Sequence, residues 1–82
     1  MVIEIIDEDG TKRYYKNGKL HREDGPAEEY YDGQTCWYKN GKLHREYGPA
    51  VIRKNGSVEF HLYGYRMSFG DWLDKTTTEG KL

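Results

Sequence analysis

Eighty-two residues are enough for one domain, near the lower size at which a single hydrophobic core suffices. The hydrophobic share is 35% and the mean hydropathy -1.05, so eight Tyr, two Trp and two Phe must carry much of the apolar surface. Thirteen basic and fourteen acidic residues, finely mixed to a net charge of -1, argue against a basic nucleic-acid footprint and against charge mimicry of DNA.

In chain order, Val2 to Ile6 is short and β-branched and predicts a strand. It is too short, and too soon charged at Glu4, to serve as a signal peptide, and no apolar run approaches a membrane span. Asp9-Gly10 then marks a hairpin turn, and Thr11 to Lys16 the return strand. Asn17-Gly18 is a second turn of the same kind, and Lys19 to Gly25 reads as a polar connection closed by Pro26.

The pattern then recurs. Tyr15-Lys16-Asn17-Gly18-Lys19-Leu20-His21-Arg22-Glu23-Asp24-Gly25-Pro26-Ala27 returns 23 residues later as Tyr38 to Ala50, and only Asp24 against Tyr47 differs. The same offset links Asp9-Gly10, Asp32-Gly33 and Asn55-Gly56, and it lines up Tyr14, Trp37 and Phe60. A fixed period of this size is the mark of a repeat architecture. Strands are expected at 27–31 and 35–39, then at 50–53 and 57–62, with Lys42 to Pro49 repeating the connection. The expected fold is all-β: an antiparallel meander of three 23-residue hairpin repeats, at about 4–26, 27–49 and 50–72.

Alternation along the second strand of each pair puts Tyr14, Trp37 and Phe60 on one face, which reads as the core. Arg13, Cys36 and Glu59 lie on the other, more polar face, beside Tyr15 and Tyr38. After Gly64 the repeat fails. Ser68-Phe69-Gly70-Asp71 fits a helix start with Ser68 as N-cap, and Phe69, Trp72 and Leu73 share one side of a short helix that closes the array. One domain over 1–75 and a polar, flexible tail over 76–82 complete the reading.

The aromatic strand ending at Gly, the His three residues beyond it and the 23-residue spacing resemble a MORN repeat (membrane occupation and recognition nexus). The Asn-Gly-Lys-Leu-His-Arg-Glu-x-Gly-Pro-Ala string resembles a divergent variant of bacterial and bacteriophage proteins, and the likeness covers about residues 9 to 64. Arg22 and Arg45 stand where the MORN pattern has Gly, a departure that weakens the membrane-binding function associated with the family. The resemblance implies a hairpin array used for binding or assembly, without catalytic residues. In a bacteriophage setting it suggests an inhibitor of a host or defence protein, working in the host cytoplasm.

The candidate residues agree with a non-catalytic chain. His21 and His44, two strands apart, are separated by roughly 10 Å, too far to share a metal whose ligands each sit about 2 Å away. Repeated wholesale with Arg and Glu, they read as residues that hold the hairpins in register. Cys36 is the lone cysteine, so no intramolecular disulfide can form, and a reducing, cytoplasmic setting is expected. Tyr15, Tyr30, Tyr31, Tyr38 and Tyr47, with Arg22 and Arg45, have the composition of a protein-binding surface. Tyr63 and Tyr65 add to it. Single-stranded nucleic acid and lipid are the alternative partners, and edge pairing through Val2–Ile6 would give a homodimer. No cofactor or metal is expected.

Overall fold

Three two-residue turns set the chain path in the computed structural model, which describes residues 1–77. Asn17-Gly18 (φ 53° and 77°), Asn40-Gly41 (52° and 83°) and Tyr63-Gly64 (52° and 88°) each place both residues in the left-handed region. That backbone twist matches paired antiparallel strands, so each turn reverses the chain at once. Among the described residues the elements run β1 (Ile3–Ile6), β2 (Lys12–Lys16), β3 (Lys19–Leu20), β4 (Glu28–Glu29), β5 (Thr35–Cys36) and β6 (Tyr38–Lys39). There follow β7 (Lys42–Leu43), β8 (Val51–Ile52), β9 (Val58–Leu62), β10 (Tyr65–Met67) and α1 (Phe69–Thr77).

All the pairings are antiparallel. The main sheet runs β1-β2-β4-β5-β8-β9-β10, with β3 on the second half of β2, and β6 pairs β7 as a small ladder. A mostly antiparallel β fold with one short C-terminal helix is therefore what forms. It differs in detail from the expected six strands. Lys19–Leu20 and Lys42–Leu43, read as the start of polar connections, are strands, because turns this tight return the chain alongside the strand it has just left. Each returning segment also reaches forward. Gly41 N donates to Leu20 O (2.8 Å) and Arg22 N to Tyr38 O (3.2 Å); Gly64 N donates to Leu43 O (2.8 Å) and Arg45 N to His61 O (3.2 Å).

The register sorts the side chains. Tyr14 N donates to Ala27 O, Ala27 N to Cys36 O, Trp37 N to Ala50 O and Ala50 N to Glu59 O, so one row reads Tyr14, Ala27, Trp37, Ala50, Phe60. The next row, on the opposite face, reads Ile5, Arg13, Glu28, Cys36, Val51, Glu59. The aromatic face was expected to be the core and the other face the wetter one. Instead both faces carry buried residues: Ala27, Ala50 and Leu62 on the aromatic face, where Tyr14, Trp37 and Phe60 are half-buried, and Glu28, Cys36 and Val51 on the second. The molecule is a slab of 42 × 31 × 17 Å, and among the described residues α1 is the one helix laid on the sheet, over Phe60. The buried groups are thus those covered by their neighbours' side chains, including Ala27 and Ala50 at 0% exposure.

The helix forms as its signals predict. Asp71 N donates to Ser68 Oγ (3.1 Å), the capping bond, and α1 lays Trp72 on Phe60 (ring centroids 4.8 Å) and Phe69 beside it (5.3 Å). Leu73 is left partly exposed. Thr76 and Thr77, assigned above to a tail, belong to α1, where their hydroxyls donate to the Trp72 and Leu73 carbonyls (2.9 and 2.6 Å). The remainder of the expected tail, 78–82, lies outside the described residues.

Candidate functional site

The two His-Arg-Glu connections build the most differentiated part of the surface. Each His reaches the next hairpin with its ring. His21 Nδ1 accepts from Asn40 N and His44 Nδ1 from Tyr63 N, both at 2.9 Å. An Nδ1 that accepts an amide proton leaves Nε2 as the protonated nitrogen, and Nε2 faces Glu23 (3.3 Å) or Glu46 (3.2 Å). Both imidazoles are buried and tie each connection to the next turn. The Nδ1 bond satisfies an amide that a left-handed turn leaves facing inward.

Each Arg lies back over the aromatic row. The Arg22 guanidinium sits 4.0 Å from the Tyr14 ring centre and that of Arg45 sits 3.9 Å from Trp37. Gly25 and Gly48 permit this, since a Cβ on either would stand 2.8 or 2.9 Å from the guanidinium carbon. Ala27 and Ala50, between the aromatics, leave room in the row. In the third position along the 23-residue offset the Arg is replaced by Ser68, and Phe60 is covered by Trp72 instead. Trp72 Nε1 donates to Arg45 O (2.9 Å), so the helix is anchored on the second connection.

The partners of the two arginines differ. Arg22 Nε donates to Asp24 (3.2 Å) and Nη1 to Glu29 (2.9 Å) and to Pro26 O (3.2 Å). Burial pulls its pKa down, but Tyr14, Glu29 and Asp24 outweigh this and hold it above the ordinary value. Arg45 Nη1 donates to Pro49 O (3.1 Å), but the positions of Asp24 and Glu29 are taken by Tyr47 and Ile52. No carboxylate pairs with Arg45 among the described residues, and its Nε is shut off from solvent with no bond. Burial therefore lowers its pKa unopposed.

Between the connections lies a groove of about 320 Å³, lined by Arg22, Asp24, Trp37, Tyr38, Arg45 and Tyr47, with Glu23, Lys39, His44 and Glu46 completing it. A second, wider groove of about 670 Å³ is lined by the residues 23 positions earlier, among them Tyr14, Lys16, His21, Arg22 and Asp24, with Met1 and Val2 as its other wall.

The residues expected to bind a partner divide. Tyr47, 90% exposed, and Tyr31, 72% exposed, stand free of the sheet. Arg22 and Arg45 line the groove with Tyr47; Tyr38 borders it along the strand, but its phenol lies on the opposite face near Glu28, Cys36 and Tyr30. Tyr30 is half-buried on the opposite face, where its hydroxyl donates to Glu28 (3.1 Å) and its ring lies under Arg13. Tyr15 is half-buried on that face too, across from Ile3. The sequence reading missed Trp37 as a groove residue, although its place in the aromatic column two residues past Thr35 was the available signal.

Burial, then Glu28, pushes the Cys36 thiol up, which keeps it protonated and a poor nucleophile. No group of three metal-ligating side chains is gathered among the described residues, and no helix there is long and apolar enough to cross a membrane. No family model, curated protein or solved structure matches the chain.

Proposed function

We propose that the chain is a three-repeat, MORN-like hairpin array that serves as a non-catalytic protein-binding module, with the groove between the two connections as its contact. The observation that carries this is the groove's composition. Trp37, Tyr47, Arg22 and Arg45 are the residue types that dominate protein interfaces, and they sit around one concave patch. Glu23, Asp24 and Glu46 line the same patch, so a polyanionic backbone meets three carboxylates there. A protein surface with mixed charge fits both sets, and nucleic acid or an anionic lipid surface fits only one. In a bacteriophage, such a module would block a host or defence protein.

The test is capture by tagged protein from a lysate of the source cell, with nuclease and a high-salt wash, run beside Tyr47→Ala. One dominant protein, lost or reduced with Tyr47→Ala, supports the reading. Nucleic acid, or proteins released by nuclease, overturns it.

A second reading, self-association, is favoured by β1. Ile3, Ile5 and Ile6 are each at least half exposed on this outer strand. Asp7 N donates to Thr11 O, so along the ladder the odd residues turn inward to β2, while Glu4 and Ile6 turn their backbone groups to the open edge. A second copy paired antiparallel there, with Ile5 opposite Ile5, sets Glu4 against Ile6 and avoids Glu4 against Glu4. Sedimentation equilibrium tests this: a dimer abolished by Ile6→Pro is expected, and a monomer at high concentration contradicts it.

A further inference from the structure

We infer that Arg45 is a receiving site for a single carboxylate, the Asp or Glu side chain of a protein partner, which takes the place that Glu29 holds against Arg22. The inference rests on the protein-binding reading and names the chemistry of its contact. Its basis is a comparison inside the chain. The same guanidinium, carried by the same string and stacked at the same distance on an aromatic ring, is neutralised twice in the first connection and nowhere among the described residues in the second.

Three features make Arg45 a receptor rather than a solvated surface cation. Its ring-facing side is desolvated by Trp37, its Nε is closed off without an acceptor, and only one of its five N–H groups has a protein partner, the Pro49 carbonyl. A guanidinium in this state gains most from a charge-assisted, two-pronged bond to a carboxylate. The acids that share the groove do not supply one. Glu23 and Glu46 face His21 and His44, and Asp24 is bonded to Arg22. Each has a partner other than Arg45, and their combined negative charge disfavours a chain of phosphates beside Arg45 and Lys39. Tyr47, almost wholly exposed at the rim, is placed to pack on the backbone that carries the acid.

The experiment follows the arginine Nε–H signals by ¹H–¹⁵N spectroscopy while capped Gly-Glu-Gly, with its single carboxylate, is added to the whole chain, with capped Gly-Gln-Gly, inorganic phosphate and a thymidine oligonucleotide as further probes. The Arg45 signal should move and saturate with capped Gly-Glu-Gly, at an affinity at least about tenfold tighter than any response of Arg22. The response should vanish in Arg45→Gln, and also in Ile52→Glu, which provides the missing internal carboxylate without removing the guanidinium. Equal movement of Arg22 and Arg45, no movement of either, or tighter binding of phosphate or oligonucleotide would overturn the inference. A captured protein whose binding is unchanged in both variants would sink this inference and leave the protein-binding reading standing. Capture of nucleic acid would sink both.

Discussion

Residues 21–29 and 44–52 share most of their sequence yet do different work. In the first segment Arg22 is stacked on Tyr14, bonded to Asp24 and Glu29 and electrostatically closed. In the second, Arg45 is stacked on Trp37 with a single carbonyl acceptor, beside an exposed Tyr47. Two changes, Asp24 to Tyr47 and Glu29 to Ile52, convert a satisfied structural cation into an unsatisfied one. A scaffold can therefore be repeated faithfully while its surface chemistry is changed at a few positions around a fixed side chain.

The largest way to break the comparison is at Trp72, which grips only the second segment, through Arg45 O. Trp72→Ala uncovers Phe60 and removes that bond, with an expected loss of about 3–5 kcal/mol, enough to release α1 or unfold a domain of this size. Chemical denaturation monitored by circular dichroism reads it. Trp72→Phe keeps most of the packing and should cost only about 1 kcal/mol.

The two histidines sharpen the comparison because they should be equal where the arginines are not. His21→Ala and His44→Ala each strand a turn amide, of Asn40 or Tyr63, for an expected cost of about 1–3 kcal/mol apiece. Amide hydrogen exchange at Asn40 and at Tyr63 should rise only in the matching variant. Exchange that rises at neither position would remove the bridging role.

The pH dependence offers a smaller effect at each end of the scale. Burial pushes the Tyr38 phenol up to about 12 from 10.0. A raised folded pKa means stability that is whole below the unfolded value and lost as pH climbs from 10.0 towards about 12. Tyr38→Phe should flatten this alkaline loss in pH-resolved thermal melts. At the acid end, His61 and then Arg53 hold Glu59 below the usual carboxylate range. Its contribution is present above the unfolded value near 4.5 and fades as pH falls through the lower folded one, so Glu59→Gln should blunt acid unfolding.

Local chemistry was legible in the sequence wherever one residue type has one way to satisfy its backbone. Asn17-Gly18 and Asn40-Gly41 are left-handed turns, Ser68 caps α1, and the repeated His holds one hairpin to the next. The core face was not legible. Alternation says which residues share a face but not which face is covered, and here long side chains folding back, such as Arg22 on Tyr14, decide burial. The first strands of each pair were the clearest lesson. Glu28-Glu29 in one repeat stand where Val51-Ile52 stand in the next, and each residue but Ile52 matches its neighbours. Glu28 lies opposite Arg13 and is bonded to it (3.1 Å), while Val51 lies opposite Cys36. Glu29 answers Arg22, and only Ile52 leaves its arginine unanswered.

The most direct test of that asymmetry is a pair of double-mutant cycles read by denaturant unfolding. One removes Arg22 and Glu29 singly and together. The other starts from Ile52→Glu and removes Arg45. A favourable coupling of about 0.5–1 kcal/mol is predicted for Arg22–Glu29, and a similar coupling should be created at Arg45 by the introduced carboxylate. No coupling at Arg45 after Ile52→Glu, with Arg22–Glu29 coupled as expected, would show that Arg45 is already satisfied and would contradict the account.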